Sequence, residues 1–441
     1  MGILNAMRSH GQWLIIGVFS ALLVCIAGAL SVYVHLRAGG AAAIAQYKTP
    51  QEAGSVYVRF DMEAYDLIQQ HYWQAATDTD MATLFQLSVE KAAASSSVAL
   101  LAPTRAGVAA MLDTVFNTAT STEGARQLAL NTLIVALYNL APTGRDQLLS
   151  QAQETSLRQE VSNVNPSNDL YANLGVPASA TPQQINEVYK QKAATATSSE
   201  AKQQLSYAHE VLANANDKAR YDQAHVEPTV FAHVIGRTLY LYVSQMAPTT
   251  VQEFAEAVDE ASTTPGLLSM VLDLRGNIGG ALDFGQYFLG LFQGQNQYAF
   301  DLYHQGDYQV QRTVAPRFAE LDRYREIAVL TDDMTQSTAE LVAAAFKRLH
   351  LGYTVGTTTR GWGSVEDTYP LMTQIDPAAS YALLLVNSLT LRDDNLPIES
   401  NGVVPNVATA DTAWRAELQN YFTSSSLISA IEKTIVTPPQ K

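Results

Sequence analysis

The sequence has few of the residues that disulfide, zinc–thiolate or nucleic-acid chemistry would need. Its 441 residues include a single cysteine, Cys25, which excludes a disulfide within the sequence and a cysteine-based zinc site. Acidic residues outnumber basic residues by 42 to 27 and no basic cluster interrupts this excess, so no nucleic-acid partner is expected. The sequence also lacks His-Glu-x-x-His, Gly-x-Ser-x-Gly and a phosphate-binding loop with lysine. We therefore expect no metal and no cofactor.

An apolar segment near the start is the first feature that the sequence does contain. Residues 13–34 carry no charge, and roughly 20 such residues are enough to cross a bilayer as a helix. Residues 27–29, Ala-Gly-Ala, also fit a cleavage site, so residues 1–35 are interpreted as a membrane anchor or a signal peptide. We favour the anchor because the apolar run continues beyond that site. Arg8 and Arg37 balance each other across the segment, so the flanking charges alone do not set its orientation.

Residues 36–165 show the spacing of amphipathic helices. Apolar residues recur there mostly at three- and four-residue intervals, as in Tyr65, Ile68 and Tyr72. A second apolar stretch, residues 128–140, is too short to span a membrane and is predicted to be a buried helix. No catalytic group of residues appears in this region, which we interpret as a helical packing domain.

A polar break leads into a compact group of predicted helices at residues 166–225. Thr181 caps the first long helix, and Gln184 completes a capping box. The pattern resembles a J domain, the module of DnaJ-type co-chaperones. The residues that carry the resemblance are Tyr171, Leu174, Gly175, Val176, Ala180, Thr181, Ile185, Tyr189 and the sequence Ala-Arg-Tyr-Asp at 219–222.

This J-like segment departs from the family at one decisive point. J domains carry a His-Pro-Asp tripeptide between their two long helices, and that tripeptide engages the Hsp70 partner. Residues 195–199 here are Thr-Ala-Thr-Ser-Ser. Hsp70 is therefore not expected as a partner, and a helical hairpin kept for packing or docking is the alternative.

Residues 226–412 alternate between strand and helix patterns. Residues 267–274 form an almost continuous apolar run, which is typical of a strand buried on both faces. The order predicts an α/β domain built from stacked ββα units, followed at 413–441 by a C-terminal helix and tail. The predicted strands are residues 238–244, 267–274, 327–331, 353–355 and 381–391, and the predicted helices are residues 251–261 and 337–349.

Four short motifs of this domain follow one another in a recognisable order. Asp-Leu-Arg-Gly-Asn-Ile-Gly-Gly occupies residues 273–280, and Thr-Gln-Ser-Thr-Ala-Glu occupies residues 335–340. Gly-Thr-Thr-Thr-Arg-Gly-Trp-Gly follows at 356–363, and Gly-Val-Val-Pro-Asn at 402–406. Together they resemble the C-terminal processing (tail-specific) serine peptidases over about residues 231–410. That resemblance implies the ClpP/crotonase-like fold and a serine nucleophile activated by a lysine.

The resemblance assigns a role to several residues. Ser337 takes the nucleophile position, and the N–H groups of Thr338 and of Gly279 or Gly280 would form the oxyanion hole. At the position of the general-base lysine the sequence has Trp362, whose indole nitrogen only donates hydrogen bonds. The family's supporting glutamine is replaced as well, by Glu366.

Other bases and non-catalytic interpretations stay open. Arg360 stays protonated and is no base, and Lys347 lies about 15 Å along the same helix. Ser337 would also fit a simple helix cap, and Trp362 would fit a plug of the old site or an aromatic surface for a peptide. Asp273-Leu-Arg would fit an ion-paired strand end. The remaining candidate bases are His233, His304, His350 and Glu366.

Three functions follow from these patterns. The first is a membrane-anchored serine-type peptidase homologue of the C-terminal processing family, impaired because Trp362 replaces the lysine. The second is a catalytically inactive peptide-binding or scaffold protein of a membrane complex, and the third is a J-domain co-chaperone. The expected partners are a polypeptide and the membrane. The expected location is a single-pass membrane protein with most of the chain outside the cytoplasm.

Overall fold

A computed structural model describes residues 55–95 and 97–439 of the chain. The predicted anchor or signal segment, residues 13–34 with Cys25, lies outside these residues. Within them, none of the helices combines the length and the apolar character needed to cross a membrane. From Val56 onward the described residues belong to one compact unit.

The N-terminal part folds into four helices around an apolar core, as predicted. Threonine and serine side chains cap three of them, at Thr77, Thr104 and Ser121. Residues 128–138 of the predicted buried helix at 128–140 lie in the fourth helix, in which Leu133 is fully buried, and residues 139–140 follow its end. The helices are α1 (Val56–His71), α2 (Asp78–Ala92), α3 (Arg105–Phe116) and α4 (Thr122–Tyr138).

The prediction of an entirely helical region up to residue 165 is wrong at one place. Gln147–Ser150 form strand β1, which pairs antiparallel with a strand of the C-terminal domain at Tyr381–Thr390. Four residues are too few to show a strand period, and their hydrogen-bonding partner lies far along the sequence. Helix α5 (Gln151–Val161) follows directly.

The J-like segment forms four helices around its own small core. The predicted capping box is confirmed, since Thr181 and Gln184 cap each other's backbone N–H groups. Leu170, Leu174 and Ile185 are fully buried in the core. Membership in the J-domain family stays a prediction. The helices are α6 (Leu170–Leu174), α7 (Pro182–Thr195), α8 (Ser199–Ala213) and α9 (Ala215–Ala224).

The C-terminal domain confirms the predicted α/β fold. Its six-stranded sheet has the order β11-β8-β7-β4-β3-β2, with only β2 antiparallel to its neighbour. The strands are β2 (Val230–Ile235), β3 (Thr238–Val243), β4 (Ser269–Asp273), β7 (Glu326–Thr331), β8 (Tyr353–Gly356) and β11 (Val407–Ala408). Amphipathic helices cover the sheet, namely α10 (Thr250–Ser262), α11 (Asp283–Gln293), α12 (Thr338–Arg348), α13 (Trp414–Tyr421) and α14 (Ser425–Thr434).

A second sheet joins the helical part to this domain. It has the order β1-β10-β5-β6, and β9 also pairs with β10. Its remaining strands are β5 (Tyr298–His304), β6 (Asp307–Arg312), β9 (Ser364–Pro370) and β10 (Tyr381–Thr390). A 3₁₀ turn at Ala319–Arg323 leads into β7. The sequence patterns predicted β10 but not the β5–β6 hairpin, whose second strand is largely exposed and therefore lacks an apolar face.

Candidate active site

The parallel strands of the six-stranded sheet bring three motif-bearing loops together. β4, β7 and β8 are neighbours, and the carboxyl ends of parallel strands lie at the same edge of a sheet. Residues 274–281 leave β4, residues 332–337 leave β7, and residues 357–363 leave β8. The predicted site residues Gly279, Ser337 and Trp362 therefore lie on adjacent loops.

The Asp-Leu-Arg part of the first motif has an architectural role. The Arg275 guanidinium donates to both carboxylate oxygens of Asp273, at 2.9 Å from Nε to Oδ1 and 2.6 Å from Nη2 to Oδ2. The Tyr240 hydroxyl donates to the same carboxylate at 2.7 Å. The third guanidinium nitrogen, Nη1, donates to the carbonyl of Thr437 at 2.9 Å and so ties the C-terminal segment to the end of the strand. This pair fixes the strand end and leaves the chemistry to the following turn.

The glycine-rich turn packs directly against Ser337. The Asn277 side chain holds the turn by accepting from the Gly279 N–H at 2.8 Å and donating to the carbonyl of Val243 at 2.7 Å. Gly279 has φ +84°, and a Cβ added there would lie 2.6 Å from the Cβ of Ser337. Only glycine fits this position, because both the backbone angle and the space exclude a side chain.

Ser337 stands in a strained backbone conformation at the start of α12. Its φ of 56° and ψ of −129° are rare for a residue other than glycine, and such strain is concentrated at functional sites. The side chain is half-buried. Among the described residues, no side chain forms a hydrogen bond with its hydroxyl group. Ser337 thus lies at the start of α12 without a hydrogen bond from its hydroxyl to a base within residues 55–95 and 97–439.

Glu340 connects Ser337 to the loop after β8. The fully buried carboxylate accepts from the Ser337 N–H at 2.9 Å, the Trp362 N–H at 2.7 Å and the Gly361 N–H at 2.7 Å. The Thr359 hydroxyl is a fourth donor at 2.5 Å. Burial raises the pKa of Glu340, and these hydrogen bonds offset part of that rise. One buried acid thus holds the serine turn and the loop together.

Trp362 occupies the position expected for the lysine and is in contact with two cations. The guanidinium carbons of Arg145 and Arg360 lie 4.0 and 4.5 Å from the centre of its ring. The indole is 39% exposed, so it does not plug a buried cavity. Arg145 precedes β1 and therefore reaches the site from outside the C-terminal domain.

Two acidic side chains, Glu399 and Glu366, bond to the residues that follow Trp362. Glu399 accepts from the N–H groups of Gly363 and Ser364 at 2.8 and 3.1 Å and pairs with Arg145 at 3.4 Å. Glu366, at the predicted supporting position, accepts from the Ser364 hydroxyl at 2.6 Å and does not contact Ser337. Burial raises the pKa of Glu366.

None of the other candidate bases forms a hydrogen bond with the Ser337 hydroxyl. Lys347 donates to the carbonyl of Val404 at 2.7 Å and pairs with Asp393 at 3.2 Å. The ring of His304 donates from Nδ1 to the carbonyl of Asn387 at 2.6 Å. His233 lies in β2, where its ring stacks on Tyr240, and His350 follows the C-terminal end of α12.

The predicted oxyanion-hole residues differ in whether their N–H groups are free. The Gly279 N–H is used by Asn277, as described above. In the part of the chain that the structure describes, the N–H groups of Gly280 and Thr338 have no hydrogen-bond partner. The Thr338 hydroxyl donates to the Gly280 carbonyl at 2.9 Å and so keeps the two residues adjacent.

Three residues of this site were not predicted from the sequence. Glu340 lies within the second motif but was given no role of its own, and Arg145 and Glu399 lie outside the four motifs. The spacing from Ser337 to Glu340 was available as a signal, because a carboxylate at the third helical position commonly bonds back to the backbone before the helix. Nothing in the sequence pairs Arg145 with Trp362.

Comparisons with known proteins agree on one family. Residues 237–409 match the model of peptidase family S41. The carboxy-terminal processing protease CtpA of Bacillus subtilis (strain 168) is 28% identical over 183 residues, which are 41% of this chain and 35% of that protein. The match thus spans about a third of the length of this curated relative.

Two solved structures align with most of this chain at low sequence identity. A photosystem II D1 C-terminal processing protease is 14% identical, with a TM-score of 0.47 over 80% of this chain and 93% of that chain. A lipoprotein from Streptococcus agalactiae is 12% identical, with a TM-score of 0.43 over 84% of this chain and 98% of that chain.

Proposed function

We propose that this chain, whose residues 237–409 belong to peptidase family S41, binds polypeptides as a homologue of the C-terminal processing proteases and hydrolyses them weakly or not at all. The observation that carries the proposal is Trp362, an indole where the family resemblance calls for a lysine. An indole nitrogen only donates hydrogen bonds and cannot take the proton of Ser337. A serine hydroxyl without a base is a poor nucleophile.

Two side chains that could be considered as a base, Glu340 and Lys347, support an impaired site because both are bound to other groups. The Glu340 carboxylate is saturated by the N–H groups of Ser337, Gly361 and Trp362 together with the Thr359 hydroxyl. Lys347 is held by a carbonyl and by Asp393. In this proposal no side chain of the site replaces the missing base.

The rest of the site keeps the features that bind a peptide. We assign the oxyanion hole to the N–H groups of Gly280 and Thr338, which are supported by their lack of other partners among the described residues. Gly279 instead allows the turn to approach Ser337 closely. Two free donors, one of them at the start of α12, suit a peptide carbonyl, whether or not the bond is then cleaved.

The test is an assay of binding and cleavage with the full chain and an unstructured polypeptide. The parent is expected to bind the polypeptide and to cleave it at a rate close to the background. Trp362→Lys is expected to increase cleavage, and adding Ser337→Ala to that variant is expected to remove the increase. Parent cleavage that disappears in Ser337→Ala would contradict the impairment, and absence of binding would contradict the proposed function as a whole.

We also propose that residues 13–34 anchor the chain in a membrane and leave most of it outside the cytoplasm. The support is their uncharged apolar composition and their length. Alkaline carbonate extraction of membranes tests the anchor, since an integral protein stays in the pellet. Protease added to intact cells or spheroplasts tests the orientation, and a fully protected chain would contradict it.

A further inference from the structure

We propose that Arg360 and Trp362 form a carboxylate-binding subsite beside Ser337, which takes the carboxylate of a bound polypeptide. The inference rests on the proposed polypeptide binding and adds the chemical group that is recognised. A guanidinium presents paired N–H donors that match the two oxygens of a carboxylate. The carboxylate comes either from the C-terminus of the polypeptide or from an acidic side chain.

The Arg360 guanidinium is held in place but has no acidic partner. It lies 4.5 Å from the ring centre of Trp362, and its Nη1 is 3.5 Å from the Sδ of Met334. Its backbone N–H donates to the carbonyl of Thr335 at 2.9 Å, which fixes the base of the side chain. It forms no ion pair with any described carboxylate, and the residue is exposed. A positioned cation with free donors loses little entropy when it binds an anion.

The second guanidinium on the same indole provides an internal contrast. Arg145 lies 4.0 Å from the ring centre and is paired with Glu399, and only 18% of its side chain is exposed. Its charge is therefore satisfied within the protein. Arg360 is the cation of the pair that faces solvent.

The two acids that bond to this loop, Glu340 and Glu399, form no ion pair with Arg360. Glu340 accepts from the N–H groups of Gly361 and Trp362, and Glu399 accepts from those of Gly363 and Ser364. Backbone N–H groups of the loop thus occupy both carboxylates. In a chain with 42 acidic and 27 basic residues, this leaves an unneutralised guanidinium next to the candidate nucleophile.

The subsite is close to Ser337. The N–H groups of Ser337 and Trp362 bond to the same oxygen, Oε2 of Glu340, so these two backbone positions are neighbours. A peptide whose carbonyl reaches the helix start therefore passes Arg360 within a residue or two. Apolar side chains exposed around the serine complete the surface, with Ile278 at 41%, Met334 at 47% and Trp362 at 39%.

The test measures the binding of fluorescent peptides to the full chain by anisotropy. Two peptides share an apolar sequence without Asp or Glu, and one ends in a free carboxylate whereas the other ends in an amide. A third peptide is amidated and carries one internal Glu. We expect the free acid, the Glu peptide or both to bind about tenfold more tightly than the neutral amide. Whichever peptide gains affinity identifies the source of the carboxylate.

Substitutions assign the effect to the guanidinium. Arg360→Gln is expected to remove the preference, so that the free acid and the Glu peptide bind no more tightly than the neutral amide, whereas Arg360→Lys keeps part of the preference because a point charge remains. Arg415→Gln is the matched control, since Arg415 also lies 4.5 Å over an indole, that of Trp414, at the far C-terminal helices. Thermal unfolding of each variant checks that its fold is intact.

The outcomes separate the two proposals. Equal affinity for all three peptides, or a preference that survives Arg360→Gln, overturns the carboxylate subsite and leaves polypeptide binding in place. Failure of the parent to bind any of the peptides overturns both. Loss of the preference in Arg360→Gln but not in Arg415→Gln supports the subsite.

Discussion

Ser337 and Trp362 donate their backbone N–H groups to one carboxylate oxygen, Oε2 of Glu340, over 2.9 and 2.7 Å. A single buried acid therefore holds both the strained turn at Ser337 and the loop that carries Trp362 in place of the lysine. Whatever the site does with a polypeptide, its geometry depends on this carboxylate.

Glu340→Gln is expected to lower the free energy of unfolding by about 2–4 kcal/mol. The amide keeps one acceptor oxygen, but its NH₂ group faces backbone N–H donors that need an acceptor. Urea unfolding of the full chain measures the change. Glu260→Gln, at an exposed acid on α10, serves as the control and is expected to change the stability by less than about 0.5 kcal/mol. Equal stabilities of the two variants would contradict the role given to Glu340.

Gly279→Ala tests the close approach of the glycine turn to the serine. A methyl group there would meet the Ser337 Cβ at 2.6 Å and Gln336 O at 2.9 Å, in addition to the strain of φ +84°. Gly306→Ala isolates that strain, because Gly306 has φ +97° and no atom within 4 Å of the added Cβ. We expect a loss of about 1 kcal/mol for Gly306→Ala and at least twice that for Gly279→Ala. Similar losses would mean that the contact with Ser337 is not tight.

The order of motifs was enough to predict the fold and the family of the C-terminal domain. The apolar run predicts a buried strand such as Ser269–Asp273. The glycine-rich motif that follows the strand is specific to the peptidase family that the sequence resembles. The resemblance to C-terminal processing peptidases is confirmed by the match of residues 237–409 to family S41. Local patterns of this kind carry their own information, and no distant partner is needed to interpret them.

What could not be predicted depends on contacts between distant segments. Arg145 and Trp362 are far apart in sequence, and only the pairing of β1 with β10 brings them together. The Gly279 N–H looked available for an oxyanion, but the Asn277 side chain uses it. Such competition for one donor is decided by side-chain geometry, which a sequence pattern does not contain.

Because of Asp146, we expect the free energy of unfolding to fall as the pH rises. Burial raises the pKa of this carboxyl to about 7, the charge of Glu366 adds to the rise, and the Val386 N–H offsets part of it. The folded state therefore holds the proton more tightly than the unfolded state between about pH 4 and that value, so stability is greatest at the acidic end of the window. The free energy of unfolding is expected to fall by a few kcal/mol at most across this window, since one proton contributes about 1.4 kcal/mol for each pH unit.

Asp146→Asn is expected to flatten this dependence. Asparagine keeps an oxygen for the Val386 N–H at 2.7 Å but does not titrate. Urea unfolding at several values between about pH 5 and pH 8 gives the slope, and Asp259→Asn, an exposed acid on α10, is the control. A slope in Asp146→Asn as steep as that of the parent would show that other groups cause the dependence.

Restoring the lysine alone is expected to restore hydrolysis only in part. A lysine at position 362 would stand near Glu366 and Glu399, and neighbouring carboxylates favour the charged ammonium and raise its pKa. A base must be neutral to accept the proton of Ser337. Trp362→Lys combined with Glu366→Gln removes one of these charges and recreates the lysine–glutamine pair that the family resemblance implies.

The pH dependence of cleavage separates the two variants. The double variant is expected to cleave an unstructured polypeptide faster than Trp362→Lys, and its rate is expected to rise at a lower pH because its lysine loses the proton earlier. Glu366→Gln without the lysine is the control and is expected to stay as slow as the parent, since an amide is no base. If both lysine variants show the same rate and the same pH profile, Glu366 does not act on the lysine, and the impairment lies in the indole position alone.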